Sequence, residues 1–235
     1  ISSNTSTIPL SILTQEMSDS MKADFCITHF FNPVRFMRLL EIVETPTMNK
    51  DKMDGLRDFC KNELGKGIVN CNDTPGFIGN RIGVYAMQVA MYEALERGLP
   101  VEIADALFGR PLGIPKTGVF GLYDLIGIDL MKDVLASFKK ELQENDPFMD
   151  VVKPHPLVEQ LLEKGFNGNK GPGGFYQTTI VEGDEHVKAM NTSDMSYYDF
   201  DKVDLEIARR VEKEGIKALL DLSLIHISEP TRRVL

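Results

Sequence analysis

Two short β-type runs lie symmetrically about Arg35, and that symmetry limits how this chain can fold more than any other feature of it. Residues 25–31 alternate, with Phe25, Ile27, His29 and Phe31 on one face of an extended strand and Cys26, Thr28 and Phe30 on the other, ahead of an Asn32-Pro33 turn signal. In residues 37–45, Leu39, Glu41 and Val43 share a face, which sets a carboxylate between two aliphatic neighbours. An ionised group there needs a partner. His29 and Glu41 are equidistant from Arg35, so a hairpin centred on that residue brings their side chains opposite each other. A carboxylate facing an imidazole holds its tautomer and raises its basicity, as a general base requires. A buried histidine taken alone is more often a satisfied core group; the immediate turn and the buried carboxylate argue for the base.

The flanking sequence predicts an α/β unit followed by a mainly helical region. Asn49 can cap a helix to about Leu64, with Met53, Leu56, Cys60 and Leu64 as its apolar stripe and Gly65 at its end, before a strand over residues 67–71. Strand, helix and strand in that order read as the last unit of an α/β sheet. Asp73-Thr74-Pro75-Gly76 opens a long helix, with Thr74 as cap and Pro75 in the first position, running to about Arg97 and stopping at Gly98. Phe77, Ile78, Ile82, Val84, Tyr85, Val89 and Met91 cover much of its circumference, which predicts a central buried helix. Further helices are expected over about 101–108, 119–127, 129–144 and 156–164. A glycine loop at 167–174 and a polar stretch at 178–198 precede a last amphipathic helix near 203–220.

Composition narrows the class of partner. A chain of 235 residues, 43% hydrophobic and 26% charged, is ordinary globular material for one or two domains, and its formal net charge of -9 disfavours nucleic acid or an anionic membrane as main partner. Cys26, Cys60 and Cys71 are odd in number and outside any CxxC pattern, so neither a disulfide framework nor a metal site of the zinc type is indicated, and a reducing, cytoplasmic setting is expected. No apolar run approaches the ~20 residues of a membrane span, and the first residues form no signal peptide.

Other polar residues carry local readings. Asn80 has helical spacing from Phe77 and Val84, so an amide on an apolar face near a helix start needs a hydrogen-bonding partner, structural or substrate. Ser6 can cap a helix beginning near Ile8-Pro9 or turn its hydroxyl into a site, and local sequence favours the cap. Lys170 reads as a solvated loop lysine that could contact a phosphate, and Asp73 and Arg81 as a cap and an ion-pair member. His155 and His186 sit in polar or proline-flanked loops and His226 in a suspect tail, so none competes with His29.

His29-Phe30-Phe31-Asn32-Pro33, then Glu41, then Asp73-Thr74-Pro75-Gly76-Phe77-Ile78-Gly79-Asn80-Arg81, resemble the L-3-hydroxyacyl-CoA dehydrogenase family, and the likeness extends from Ser3-Asn4-Thr5-Ser6 to Gly173-Gly174-Phe175-Tyr176. The resemblance implies the C-terminal end of a Rossmann-type NAD-binding domain (residues 1–72) followed by a mainly helical C-terminal domain for substrate and dimerisation (73–177). It implies NAD as cofactor, an acyl-CoA substrate oxidised in fatty-acid β-oxidation, and a homodimer through the helical region. It also implies His29 as the general base, Glu41 as its support, Ser6 and Asn80 as hydrogen-bond donors to the reacting oxygens, and Ser6, Asn32 and Lys170 as residues approaching NAD.

Several features depart from the short members of that family. The family's glycine-rich phosphate loop and ribose-binding acid are absent. The chain therefore reads as a fragment whose beginning is missing, and by itself it is expected to bind NAD poorly and to be inactive. The run Arg110-Pro111-Leu112-Gly113-Ile114-Pro115-Lys116-Thr117 resembles the large bacterial members, and residues 178–221 read as a linker and the start of a further helical unit; both imply a larger parent that carries an enoyl-CoA hydratase domain. Back-translated, Leu222 to Arg232 reads as a transposase-type sequencing adapter, so residues 222–235 are set aside as artefact. Two other readings compete: a dehydrogenase of a related hydroxy acid, such as hydroxybutyryl-CoA or a sugar acid, and a non-catalytic helical dimerisation module. Burying His29, Glu41 and Asn80 gains a pure interaction module nothing.

Overall fold

The computed structural model describes residues 1–109, 116–153, 155–181, 183–201, 203, 205–215 and 217. The expected adapter segment at 222–235, most of the 110–117 run and the end of the helix expected to 220 lie outside the described residues. Two compact units emerge, one from residues 1–86 and 134–152, the other from residues 87–133 and the described residues from 153 onward.

The first unit is built on a four-stranded sheet in the order β1 (Ser2–Ser3), β2 (Cys26–Phe30), β3 (Leu39–Val43), β4 (Gly67–Cys71). β1 and β2 are parallel, β2 and β3 form the expected antiparallel hairpin, and β3 and β4 are parallel. Two short helices, α1 (Leu10–Leu13) and α2 (Asp19–Lys22), join β1 to β2. The β3–β4 crossover is α3 (Lys50–Asn62), whose first turn is closed by Asn49, with its side chain accepting from the Lys52 amide at 3.1 Å. Leu10, Ile27, Leu40, Ile42 and Val43 are fully buried between sheet and helices, each contributing on the order of 2 kcal/mol. Leu64 is exposed, because α3 ends two residues before it and the buried stripe stops at Cys60.

α4 (Gly79–Glu96) begins later than the sequence predicts. Residues 75–78 form a turn in which Phe77 adopts a positive φ of 47°, so Thr74 does not cap the helix and Pro75 is not its first residue. Asp73 caps a different element: its carboxylate accepts from the Leu10 and Ser11 amides of α1, at 2.6 and 3.2 Å. The cap role expected of Ser6 is thus taken by Asp73, while Thr5 receives the Ile8 amide at 3.2 Å. Nor is α4 buried all round. Met87, Ala90, Met91 and Ala94 are buried, but Ile78 just before it and Ile82, Tyr85 and Val89 along it form an exposed apolar row at helical spacing. Arg81 makes the expected ion pair, with Asp146 at 2.5 Å. Beside it the last turns of α7 (Ile128–Glu141) and a 3-10 turn (Pro147–Asp150) supply Phe138 and Phe148, which pack with Leu142, Val152 and Val84.

The second unit contains the remainder of α4 and α7 with α5 (Val101–Leu107), α6 (Gly118–Ile126), α8 (Pro156–Glu163) and α9 (Glu206–Glu214). It also contains a three-stranded antiparallel sheet, β5 (Tyr176–Val181), β6 (Asp184–Met190) and β7 (Tyr197–Asp199), where a polar connector is expected. Most side chains of β5 and the first half of β6 are exposed, so no hydrophobic alternation advertises the strands. Two buried carboxylates tie this sheet to the helices. Asp124 accepts from the Phe175 and Tyr176 amides (3.0 and 2.7 Å); Asp105 accepts from the Phe120 and Gly121 amides (2.7 and 2.9 Å) and from the Tyr176 hydroxyl (2.9 Å). Burial pushes the Asp124 carboxyl up to about 7 and that of Asp105 up to about 6, against the pull of these donors. Phe175 is fully buried, its ring 4.6 Å from that of Phe120. His155 caps α8 by accepting from the Leu157 amide. Among the described residues no helix is long and apolar enough to cross a membrane.

Gly174 passes so close to Asp124 that a Cβ there would lie 2.0 Å from Oδ1. Gly174→Ala is expected to lower stability by about 2–3 kcal/mol, read as a reduced thermal unfolding midpoint by circular dichroism. An unchanged midpoint would show that the loop is not locked against Asp124.

Candidate functional site

The hairpin register sets His29 directly opposite Glu41, and Nδ1 of the imidazole lies 2.7 Å from Oε2 of the carboxylate. Glu41 is fully buried and His29 is 6% exposed. A buried carboxylate persists only if its lone pairs are met. Here Oε1 accepts from the backbone amides of Ile78 and Gly79, at 2.9 and 2.7 Å. These are amides at the start of α4, so Glu41 is the cap that Thr74 does not supply. Burial pushes the Glu41 carboxyl up, but the hydrogen bonds from His29, Gly79 and Ile78 and the charge of His29 outweigh it and hold the group below its ordinary value. Where the imidazole is neutral beside the ionised carboxylate, Nδ1 is the donor and the lone pair stands on Nε2.

Aromatic walls enclose the imidazole. The ring centroids of Phe31 and Phe77 lie 4.6 and 5.7 Å from that of His29. Gly79 fits between Phe31 and Glu41, where a Cβ would come within 2.5 Å of the Phe31 ring. Sequence reasoning does not single out Phe31, Phe77 and Gly79 as site residues, although Gly79 stands directly before Asn80 in the motif that carries the resemblance.

The other expected residues fall into three groups. Asn80 is the second residue of α4, half-buried and adjacent to the Gly79 amide that Glu41 holds. Ser6 lies in the loop leaving β1, and Asn32 is exposed at the end of β2. Asn4, which local sequence reading passes over, ties that first loop to β2 by accepting the Phe30 amide at 2.9 Å. Lys170 belongs to the second unit, where its ammonium lies 3.7 Å from the Asp129 carboxylate. Among the described residues no group of histidine, cysteine or acidic side chains is arranged to hold a metal ion.

Comparison with known proteins identifies the family. Residues 1–74 match the family description "3-hydroxyacyl-CoA dehydrogenase, NAD binding domain", and residues 76–178 match "3-hydroxyacyl-CoA dehydrogenase, C-terminal domain". The chain is 40% identical over 205 residues to a Rickettsia felis protein named "Putative fatty acid oxidation complex trifunctional enzyme", covering 87% of this chain and 28% of that protein. It is 35% identical over 177 residues to the hydroxyacyl-coenzyme A dehydrogenase, mitochondrial, of Rattus norvegicus, covering 74% and 53%. Among solved structures it resembles 3-hydroxybutyryl-CoA dehydrogenase from Escherichia coli K12, with a TM-score of 0.63 and 29% identity over 75% of this chain and 36% of that one. The chain thus spans about a quarter of the Rickettsia relative and about half of the rat one. Matched in order by both domain descriptions, with the Rossmann-like sheet and the helical region in the corresponding places, the chain belongs to the 3-hydroxyacyl-CoA dehydrogenase family.

Proposed function

We propose that the protein containing this chain oxidises the 3-hydroxyl of an L-3-hydroxyacyl-CoA to the 3-ketone with NAD, as a step of fatty-acid β-oxidation. The observation that carries this reading is the buried His29–Glu41 pair, in which Nδ1 is engaged at 2.7 Å and Nε2 takes no part in that bond. His29 Nε2 accepts the hydroxyl proton as the C3–H bond breaks, and Glu41 stabilises the imidazolium that forms. Asn80 and Ser6 donate hydrogen bonds to the reacting oxygens, which carry growing negative charge as the proton leaves.

The residues present fit one end of a dinucleotide. β1 and β2 are parallel neighbours, and the loops leaving their carboxyl ends carry Ser6 and Asn32, the side on which α/β sheets take nucleotides. Ser6 and Asn32 would hold that end, and the glycine-rich turn for a pyrophosphate is not among these 235 residues. When bound, NAD supplies the hydride acceptor for C3.

The name of the Rickettsia relative supports a larger parent, for which we propose a fused enoyl-CoA hydratase domain. The exposed apolar row Ile78, Ile82, Tyr85 and Val89 supports a homodimer through α4. Free Cys26, Cys60 and Cys71 are in keeping with a cytoplasmic location. Likeness to the E. coli enzyme favours a short-chain substrate as a second reading.

In an NADH-absorbance assay of the full-length parent, His29→Gln is expected to lower kcat/KM by about 10²–10⁴-fold with L-3-hydroxybutyryl-CoA and a long-chain homologue alike. Retained turnover removes His29 as the base. Glu41 carries a pH signature of its own. Its folded carboxyl lies below the ordinary 4.5, so its contribution to stability is complete above that pH and is lost as pH falls through the folded value. Urea midpoints measured from pH 6 downward are therefore expected to fall less steeply in Glu41→Gln than in the natural protein, and parallel curves would contradict the pairing.

A further inference from the structure

Lys66 is 7% exposed, yet no carboxylate pairs with it among the described residues. It stands between α3 and β4, and its ammonium donates to the carbonyls of Val34 at 2.5 Å and Met37 at 2.8 Å while lying 5.7 Å from the centre of the Phe30 ring. Next to it the Gly67 amide donates to the Arg38 carbonyl at 2.8 Å. Three carbonyls of the β2–β3 turn therefore converge on two consecutive residues. Burying an ammonium against carbonyls and a ring is costly, and the turn shows what it serves. Val34, Phe36 and Met37 are all exposed, Phe36 to 77%, so apolar packing contributes little to holding the turn. Its own bonds, from the Phe36 and Met37 amides to the Pro33 carbonyl, shape it without anchoring it to the sheet.

We propose that Lys66 is a positioning residue that locks this turn against the start of β4, so that Asn32 and the end of β2 beyond His29 keep one geometry toward the dinucleotide. The inference rests on the dehydrogenase reading for its catalytic meaning and on the hydrogen bonds alone for the lock.

The test uses the full-length parent and reads the lock separately from the reaction. Arg35 and Arg38 are exposed in the turn, so trypsin under native conditions reports its opening. Lys66→Met is expected to speed cleavage at these two sites by about tenfold or more over other sites, and to raise KM for NAD several-fold with kcat largely kept, because the His29–Glu41 pair is untouched. Lys66→Arg, whose guanidinium can still donate to both carbonyls, is expected to restore protection and KM together. If Lys66→Met does not fold, Lys66→Gln takes its place, since its shorter neutral side chain cannot serve both carbonyls. Cleavage at Arg35 and Arg38 no faster than in the natural protein, or faster only in proportion to every other site, overturns the lock. A faster-opening turn with KM and kcat unchanged overturns the positioning role. A parent inactive on every acyl-CoA sinks the dehydrogenase reading, while the cleavage pattern still judges the lock.

Discussion

A carboxylate with no exposure to water governs the architecture around it. Glu41 cannot remain ionised in the sheet unless both oxygens are met, and three donors come from two places: an imidazole on β2 and two consecutive amides at the start of α4. Satisfying Oε2 fixes the register of the hairpin, because a slip of one residue would turn His29 to the opposite face. Satisfying Oε1 fixes where α4 begins, and Phe77 accepts an uncommon backbone conformation within the turn that leads there. The proposed chemistry and the fold of the first unit thus rest on one set of hydrogen bonds.

The second unit uses the same device with the opposite pH dependence. Asp105 and Asp124 gather backbone amides around buried carboxylates, but there burial prevails and the folded carboxyls rise to about 6 and about 7. A raised carboxyl contributes stability that is complete below the ordinary value of 3.8 and is lost as pH rises through the folded one. Glu41 contributes above its ordinary value and loses that contribution in acid. Glu41 on one side and Asp105 and Asp124 on the other thus respond to proton concentration in opposite senses, although each holds backbone amides.

The His29–Glu41 pair was legible because a strand repeats every two residues and the two positions are equidistant from Arg35, so pairing follows from geometry alone. The crossover helix was legible through Asn49 and the Met53 to Cys60 stripe. The start of α4 was not, since its cap is supplied by a residue far back in sequence and no local pattern encodes that. Asp73 misleads for the same reason, closing α1 instead of the helix it precedes. The β5–β7 sheet is not legible in the sequence because its strands are largely solvated and carry little apolar alternation. Lys66 looks like one more surface lysine until the carbonyls around it are seen.

Glu41 lies within the segment matched as the NAD-binding domain, whereas Ile78 and Gly79 lie within the segment matched as the C-terminal domain. The boundary between those segments is therefore no free hinge along which evolution could exchange one half for another. A chimera joined there keeps this contact only if the incoming half brings the same turn, with its two amides, or the same buried carboxylate.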